Sequence, residues 1–131
     1  MEGKGSLSSV SGVLNQTPYS FVTRFKNEEG KAGTNPEELI AAAHGGCFAM
    51  ALSFVLNGAG FTPDELKVET TVTLEQIADH FEITGIHLDL TGKVPGITEE
   101  KFIEFAGTAK VNCPVSRALK AVDISLTTKL A

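Results

Sequence analysis

The chain has 131 residues, 42% of them hydrophobic, and its 16 acidic and 11 basic side chains give a net charge of −5. This length and composition predict one globular domain, residues 1–131, with a real hydrophobic core. Lysine and arginine form no cluster, which disfavours a nucleic acid or an anionic membrane surface as a partner. With no signal segment and no transmembrane run, a cytoplasmic location is the expectation, and the two cysteines are weak evidence for a structural disulfide there.

The N-terminal part of the chain predicts little regular structure. Residues 1–12 are small and polar, and they predict at most a short edge strand around residues 7–10. Alternating side chains over residues 19–26 then predict a half-buried strand, with Arg24 on the face opposite the aromatic side chains. Residues 27–33 are polar and contain glycine, which is typical of a connection.

The segment 33–58 predicts a single buried helix with Cys47 at its middle. Asn35 is a good cap, Pro36 suits the first helical position, and Glu37 suits the positive end of the helix dipole. Later residues are nearly all apolar or small, so the helix needs cover on every side. Its caps and its polar and glycine interruptions argue against a membrane span. Because one modest sheet covers only one side, we expect a homodimer.

Two glycines, Gly45 and Gly46, precede Cys47 in this helix. Each costs about 1 kcal/mol of helix stability relative to alanine. We therefore expect another backbone or a ligand to approach closely here.

The second half of the chain predicts a hairpin followed by two helices and a strand. The alternation runs over 66–75 and 81–90, and in the second stretch its phase changes at Thr84 and Gly85, which predicts a β-bulge there. Thr98 is expected to cap an amphipathic helix, and a short helix is expected over 114–121. A last alternating strand covers 122–130. This order predicts an α+β fold with helices packed on antiparallel sheets.

The two cysteines admit an ordinary interpretation and a chemical one. Cys47 could be a small core residue. Cys113 precedes Pro114 at a helix start, where the helix dipole favours a thiolate. The chain has no Cys-x-x-Cys or His-x-x-x-His spacing, so neither a metal nor a cofactor is predicted. His44 lies about one turn before Cys47 and is expected to line the site rather than to act as a base.

A nucleophilic Cys47 would need a cation nearby, because burial alone raises a thiol pKa. Arg24 is the candidate, since no lysine or arginine occurs between Lys31 and Lys67. Glu37 or Glu38 could hold the guanidinium. Glu37 precedes Cys47 by ten residues, roughly 15 Å along a straight helix. If they share a site, Glu37 should come from an antiparallel copy of the helix across a two-fold axis.

Three stretches carry a family resemblance: GVLNQTPYSFVTRF, GTNPEELIAAAHGGCF and KVNCPVSRALKA. Together they resemble the OsmC branch of the OsmC/Ohr family, thiol-dependent peroxidases that reduce organic hydroperoxides. The resemblance implies an OsmC-like intertwined homodimer of α+β class, with antiparallel sheets wrapped around two long central helices. It also implies active sites at the subunit interface.

The resemblance further implies a role for each of four residues. Cys47 would be the peroxidatic thiolate, and Cys113 would be the resolving thiol that forms a disulfide with it. Arg24 would stabilise the thiolate, and Glu37 would orient that arginine. A dithiol, such as a lipoyl-type dithiol, would be the reductant.

An apolar pocket lined by residues such as Phe48, Met50 and Phe81 would suit an organic hydroperoxide. The alternative function is a non-enzymatic dimeric protein that binds an apolar ligand in the same pocket. Its thiols would then be inert or would serve only as redox sensors.

Overall fold

The computed structural model describes residues 3–25 and 33–131 of the chain. These residues divide into two compact units, Met1–Leu39 and Ile40–Ala131. The single domain expected from the sequence therefore stays a prediction.

The first unit contains a small two-stranded sheet. Strand β1 (Lys4–Leu7) pairs antiparallel with β2 (Thr17–Ser20). The predicted edge strand at 7–10 was therefore placed too late, and Val10 is fully exposed. β1 does not extend further because a turn follows it, in which the Gly12 N–H donates to the Ser9 carbonyl at 3.0 Å.

The strand predicted over residues 19–26 was wrong beyond Ser20. A short helix, α1 (Phe21–Phe25), follows β2 directly. Two reciprocal hydrogen bonds start it: the Thr23 N–H donates to Ser20 Oγ at 3.1 Å, and the Ser20 N–H donates to Thr23 Oγ1 at 2.7 Å. Such local bonds by serine and threonine compete with strand pairing. Lys26 and the connection predicted at 27–32 lie outside the described residues.

The long helix α2 (Pro36–Gly58) begins as predicted. Asn35 caps it, since the Glu38 N–H donates to Asn35 Oδ1 at 2.8 Å. Pro36 occupies the first helical position, where its missing N–H costs nothing. These local signals placed the start of the helix to within a residue.

The expectation that α2 is buried on all sides is not met within one protomer. By length and composition α2 could cross a membrane, but a core helix meets the same criteria, and only 28% of its most apolar window is buried. On the exposed side, Met50 and Phe54 are 76% and 82% accessible. The buried residues form one stripe: His44, Gly45, Phe48, Leu52 and Leu56.

The second unit contains a three-stranded sheet of order β3-β4-β5. β3 (Glu65–Ile77) and β4 (His80–Lys93) form the predicted antiparallel hairpin. The predicted bulge is confirmed: Thr73 pairs with Gly85 and Leu74 pairs with Ile83, which leaves Thr84 as the extra residue of β4. The extra residue restores the apolar face of β4 after its change of phase.

Two helices connect β4 to the last strand. α3 (Glu99–Asn112) is capped by Thr98, whose Oγ1 accepts from the Lys101 N–H at 3.2 Å. α4 (Pro114–Ala118) is shorter than the predicted 114–121. β5 (Asp123–Leu130) pairs parallel with β4, so the expectation of purely antiparallel sheets was wrong at this strand. Parallel neighbours need a crossover connection of a dozen or more residues, and α3 and α4 supply it here.

One apolar cluster joins α2, α3 and the inner face of this sheet. Phe48, Leu52 and Leu56 of α2 pack with Phe102 of α3 and Leu88 of β4. Cys113 is a fully buried member of the cluster, and Cys47 packs against it. The α+β class predicted from the sequence is confirmed, and the core holds both cysteines.

Candidate functional site

Cys113 lies at the junction between α3 and α4. Its N–H closes α3 by donating to the Ala109 carbonyl at 2.9 Å, and its own backbone is extended. Pro114 then begins α4. The sulfur is thereby held between the end of one helix and the start of the next, inside the apolar cluster.

Cys47 of α2 is partly buried and packs against the cluster that contains Cys113, and the two thiols are close enough for each to shift the pKa of the other. Both cysteines are free thiols. Burial raises the pKa of the Cys47 thiol, and its hydrogen bond to Cys113 raises it further. The structure therefore brings together the two cysteines that the sequence singled out, across a long separation in the chain.

The pKa of Cys113 is shifted in the opposite direction, below its ordinary value. Burial opposes its ionisation, but hydrogen bonds from the Cys47 thiol and from the backbone and hydroxyl of Ser116, with the Val115 N–H, outweigh burial and lower its pKa. The direction predicted from its position at a helix start is confirmed. Because each thiol influences the ionisation of the other, the two cysteines titrate as a pair.

His44 contacts Ser116 instead of Cys47. Its Nε2 lies 2.7 Å from Ser116 Oγ, and both residues are buried. Burial lowers the pKa of His44, so the ring is neutral at pH 7. Sequence reasoning missed Ser116. The signal was its position three residues after Cys113 at a helix start, where a hydroxyl can bond back to the preceding residue.

The first unit holds the other two predicted site residues as an ion pair. Arg24 Nη2 lies 2.6 Å from Glu37 Oε1. The choice left open between Glu37 and Glu38 is settled, because Glu38 accepts from the Thr34 hydroxyl instead. The predicted orientation of Arg24 away from the aromatic side chains was wrong: its Cζ lies 5.3 Å from the centre of the Phe25 ring, since both residues are helical.

Buried hydrogen bonds fix α1 against the start of α2. Thr23 Oγ1 donates to the Thr34 carbonyl at 2.9 Å, and the Asn35 amide donates to the Thr23 carbonyl at 3.3 Å. Arg24 follows Thr23 and Glu37 follows the Asn35 cap by two residues. The ion pair is therefore positioned by the backbone on both sides rather than by two free side chains.

The two glycines before Cys47 differ in their surroundings. A Cβ on Gly45 would lie 2.6 Å from Thr70 Oγ1 on β3, so the group that approaches closely is a side-chain hydroxyl and not the expected backbone or ligand. Gly46 has open space around it within the protomer. Thr70 Oγ1 and His44 Nδ1 are both buried, and neither has a hydrogen-bond partner among the described residues.

The predicted pocket wall needs one correction. Phe48 is completely buried in the core cluster and cannot line an open pocket, because the helical stripe that carries it faces the sheet. Met50 and Phe81 are exposed. Over residues 3–25 and 33–131, no three histidine, cysteine or acidic side chains come together as metal ligands.

The sequence and fold match known proteins over most of the chain. The family model for OsmC-like protein matches residues 28–127. Peroxiredoxin OsmC of Escherichia coli is 52% identical over 91% of this chain and 81% of its own. Organic hydroperoxide resistance protein OhrB of Bacillus subtilis is 32% identical over 95% of this chain and 89% of its own.

A solved structure agrees with the fold. An organic hydroperoxide resistance protein from Elizabethkingia anophelis superposes with a TM-score of 0.73 at 26% identity, covering 100% of this chain and 96% of its own. The higher identity to OsmC than to OhrB agrees with the wording of the motifs around Cys47. The chain belongs to the OsmC/Ohr family, on its OsmC branch.

Proposed function

We propose that this protein is a thiol-dependent peroxidase that reduces organic hydroperoxides to alcohols, with Cys47 as the peroxidatic residue and Cys113 as the resolving residue. The observation that carries the proposal is the packing of the two free thiols in one core within one protomer, where each shifts the pKa of the other. Two cysteines that neighbour each other in one core can form a disulfide with limited movement of the backbone. The relatives named above support the same reaction.

The reaction has two steps. The Cys47 thiolate attacks the terminal oxygen of the hydroperoxide, the O–O bond breaks, and the alkoxide leaves and takes a proton to become the alcohol. Cys47 is then a sulfenic acid. The Cys113 sulfur attacks the Cys47 sulfur, the S–O bond breaks, and the hydroxide leaves as water with the proton released by Cys113. An external dithiol reduces the disulfide, and a lipoyl-type dithiol is the reductant to test first.

The first step requires a thiolate on Cys47, whereas burial and Cys113 raise the pKa of that thiol within one protomer. We assign the missing positive charge to Arg24, held by Glu37. A guanidinium close to the sulfur would favour the thiolate and would stabilise charge as the O–O bond breaks.

The protein is proposed to act as a homodimer in which Arg24 and Glu37 of one subunit serve Cys47 of the other. The apolar face of α2 supports this arrangement, because Met50 and Phe54 are large, apolar and exposed in the protomer. A second copy of the helix would cover that face. The substrate is an organic hydroperoxide, the location is cytoplasmic, and neither nucleic acid nor membrane is a partner.

The test is a count of free thiols before and after one equivalent of cumene hydroperoxide under anaerobic conditions. Loss of two thiols per chain, with one disulfide formed, is expected. Cys47→Ser should lose no thiol and should show no turnover with a dithiol. Cys113→Ser should lose one thiol, and its Cys47 should then stall as a sulfenic acid or over-oxidise.

The alternative function, an apolar-ligand binder with inert thiols, predicts no thiol loss in any of these proteins. A thiol-based redox sensor would lose two thiols but would not turn over with any dithiol. Full turnover by the Cys47→Ser protein would overturn the proposed mechanism.

A further inference from the structure

His44 and Ser116 form a buried pair next to the cysteines that the two-step reaction does not use. His44 is 0% exposed and Ser116 is 6% exposed. His44 Nε2 lies 2.7 Å from Ser116 Oγ, and Ser116 lies three residues after Cys113 in the first turn of α4, where its hydroxyl and N–H favour the Cys113 thiolate and lower its pKa. The three groups form a chain that runs from α2 through α4 to the junction that holds Cys113.

The position of the proton on the His44 ring decides which group donates and which accepts in this series of side chains. His44 Nδ1 is buried and has no partner among the described residues. A proton on Nδ1 would leave a buried N–H unsatisfied, which is the rarer and costlier arrangement. A proton on Nε2 donates to Ser116 Oγ instead. Ser116 has one hydroxyl proton, and with its oxygen already accepting from His44 that proton is free for Cys113.

We propose that His44 is a positioning residue for Cys113: through Ser116 it keeps a hydroxyl proton directed at the Cys113 sulfur and so readies that sulfur to attack the oxidised Cys47. The inference rests on the proposed function, because it concerns the attack of Cys113 on oxidised Cys47. The titration that tests it does not depend on peroxidase activity. A hydroxyl proton directed at the Cys113 sulfur stabilises the thiolate. The thiolate is the nucleophile that makes the S–S bond. Rapid attack shortens the life of the Cys47 sulfenic acid and so limits further oxidation.

The surroundings of Cys113 contain few other titratable groups. From α2, Cys47 lies next to it, and His44 reaches Ser116. Lys110, Arg117 and Lys120 line a pocket of about 440 Å³ with Ser116. On the strands, the residues that face the core cluster are apolar: Leu66, Val68, Leu88, Leu90, Ile124, Leu126 and Leu130. Inside the buried part of this site, the titratable groups among the described residues are the two thiols and His44.

The test measures ionisation of Cys113 by its ultraviolet thiolate absorbance as pH is varied, in full-length protein carrying Cys47→Ala. In this background, Ser116→Ala should lower the acid ionisation constant of Cys113 about tenfold, since it removes one hydrogen bond to the thiolate. His44→Leu should have a similar effect. His44→Gln, whose amide can donate from nearly the same place, should restore most of the ionisation.

A combination of variants separates positioning from packing. If His44 acts through Ser116, His44→Leu should have no further effect on Cys113 once Ser116→Ala is present. The matched control is Ser125→Ala, because Ser125 Oγ lies 2.7 Å from His87 Nδ1, the same distance, but on another face of the sheet. It should leave the titration of Cys113 unchanged. An unchanged titration in Ser116→Ala, or additive effects of the two substitutions, would overturn the proposal.

A kinetic measurement on the chain with both cysteines completes the test. After oxidation of Cys47 by cumene hydroperoxide, disulfide formation in Ser116→Ala should be about tenfold slower at pH values below the pKa of Cys113. The deficit should disappear at high pH, where the thiolate forms without help. The titration needs no hydroperoxide, so its outcome is independent of whether the chain proves to be a peroxidase. Failure of the proposed function would appear separately, as turnover by Cys47→Ser.

Discussion

Arg24 and Glu37 form an ion pair within a single protomer, with Nη2 2.6 Å from Oε1. The Glu37 side chain is 12% exposed and the Arg24 side chain is 36% exposed, so the carboxylate is the better shielded partner. The guanidinium is therefore already oriented before any second subunit is added. Under the proposed function, dimerisation brings this prepared cation to a sulfur that, within its own protomer, does not ionise readily.

Substitution of Arg24 by glutamine should slow the oxidation of Cys47 at least about tenfold at pH 7, because each unit of thiol pKa changes the thiolate population tenfold. The loss should diminish at higher pH. Stopped-flow measurement of Cys47 oxidation across a pH series checks both expectations. Glu37→Gln should give a smaller loss, since it removes the orienting carboxylate but keeps the cation. An unchanged rate in Arg24→Gln at every pH would contradict the assignment.

Mixed dimers test whether the site is shared between subunits. Arg24→Gln and Cys47→Ser proteins, each inactive or nearly so, should regain about a quarter of the normal activity when their subunits are exchanged, because one site in each mixed dimer then has both residues. The measurement is turnover before and after subunit exchange. If Arg24 serves Cys47 of its own chain, exchange will restore nothing.

Substitution of Phe54 by glutamate should convert the proposed dimer to a monomer. A carboxylate on the apolar face of α2 would have to be buried without a partner, which costs several kcal/mol. Light scattering at fixed protein concentration measures the mass. Ile103→Glu is the control, since Ile103 is an exposed apolar residue of α3 at 49% accessibility. An unchanged mass for Phe54→Glu would exclude this face as the interface.

Substitution of Thr70 by valine should stabilise the protein by about 1 kcal/mol, because it removes a buried hydroxyl that lacks a hydrogen-bond partner. Valine has nearly the same shape, and its methyl group would occupy the space beside Gly45 that the hydroxyl now fills. The free energy of unfolding in urea is the measurement. Thr71→Val, at the next and exposed position of β3, should change stability by less than about 0.5 kcal/mol. A destabilised Thr70→Val would imply that the hydroxyl has a partner after all.

Stability should depend on pH through His44. Burial holds the pKa of His44 below its ordinary value of 6.5, so the unfolded chain takes up a proton more readily than the folded chain. The stability that this provides is fully present above pH 6.5 and is lost as pH falls, by at most about 1.4 kcal/mol per pH unit. His44→Gln should remove this dependence in urea unfolding between pH 5 and pH 7.

His80 provides a contrast of opposite sign. Hydrogen bonds to Glu82 and Asp79 raise its pKa, so its contribution is present below its ordinary pKa and is lost as pH rises. His80→Gln should therefore leave the acid loss of stability in place. If His44→Gln retained the acid loss too, burial of the neutral ring would not be its cause.

The sequence by itself determined the features that depend on near neighbours in the chain. The Asn35 and Thr98 caps, the bulge at Thr84 and the apolar alternation of β3 each follow from residues a few positions apart, and the structure contains all of them. Motif wording also determined the family, because three stretches in one order match it over most of the chain. It did not determine α1, where hydrogen bonds between Ser20 and Thr23 overrode an alternating pattern.

Only the tertiary structure decided which distant side chains meet. Ser116 lies next to His44 across 72 residues of sequence, and Glu37 rather than Glu38 holds Arg24. Neither contact is indicated by the periodicity or the composition of the sequence. Hydrogen bonding between side chains depends on the packing of helices and strands and not on spacing along the chain. The parallel pairing of β5 and the uncovered face of α2 were decided at the same level, by where the crossover helices pack.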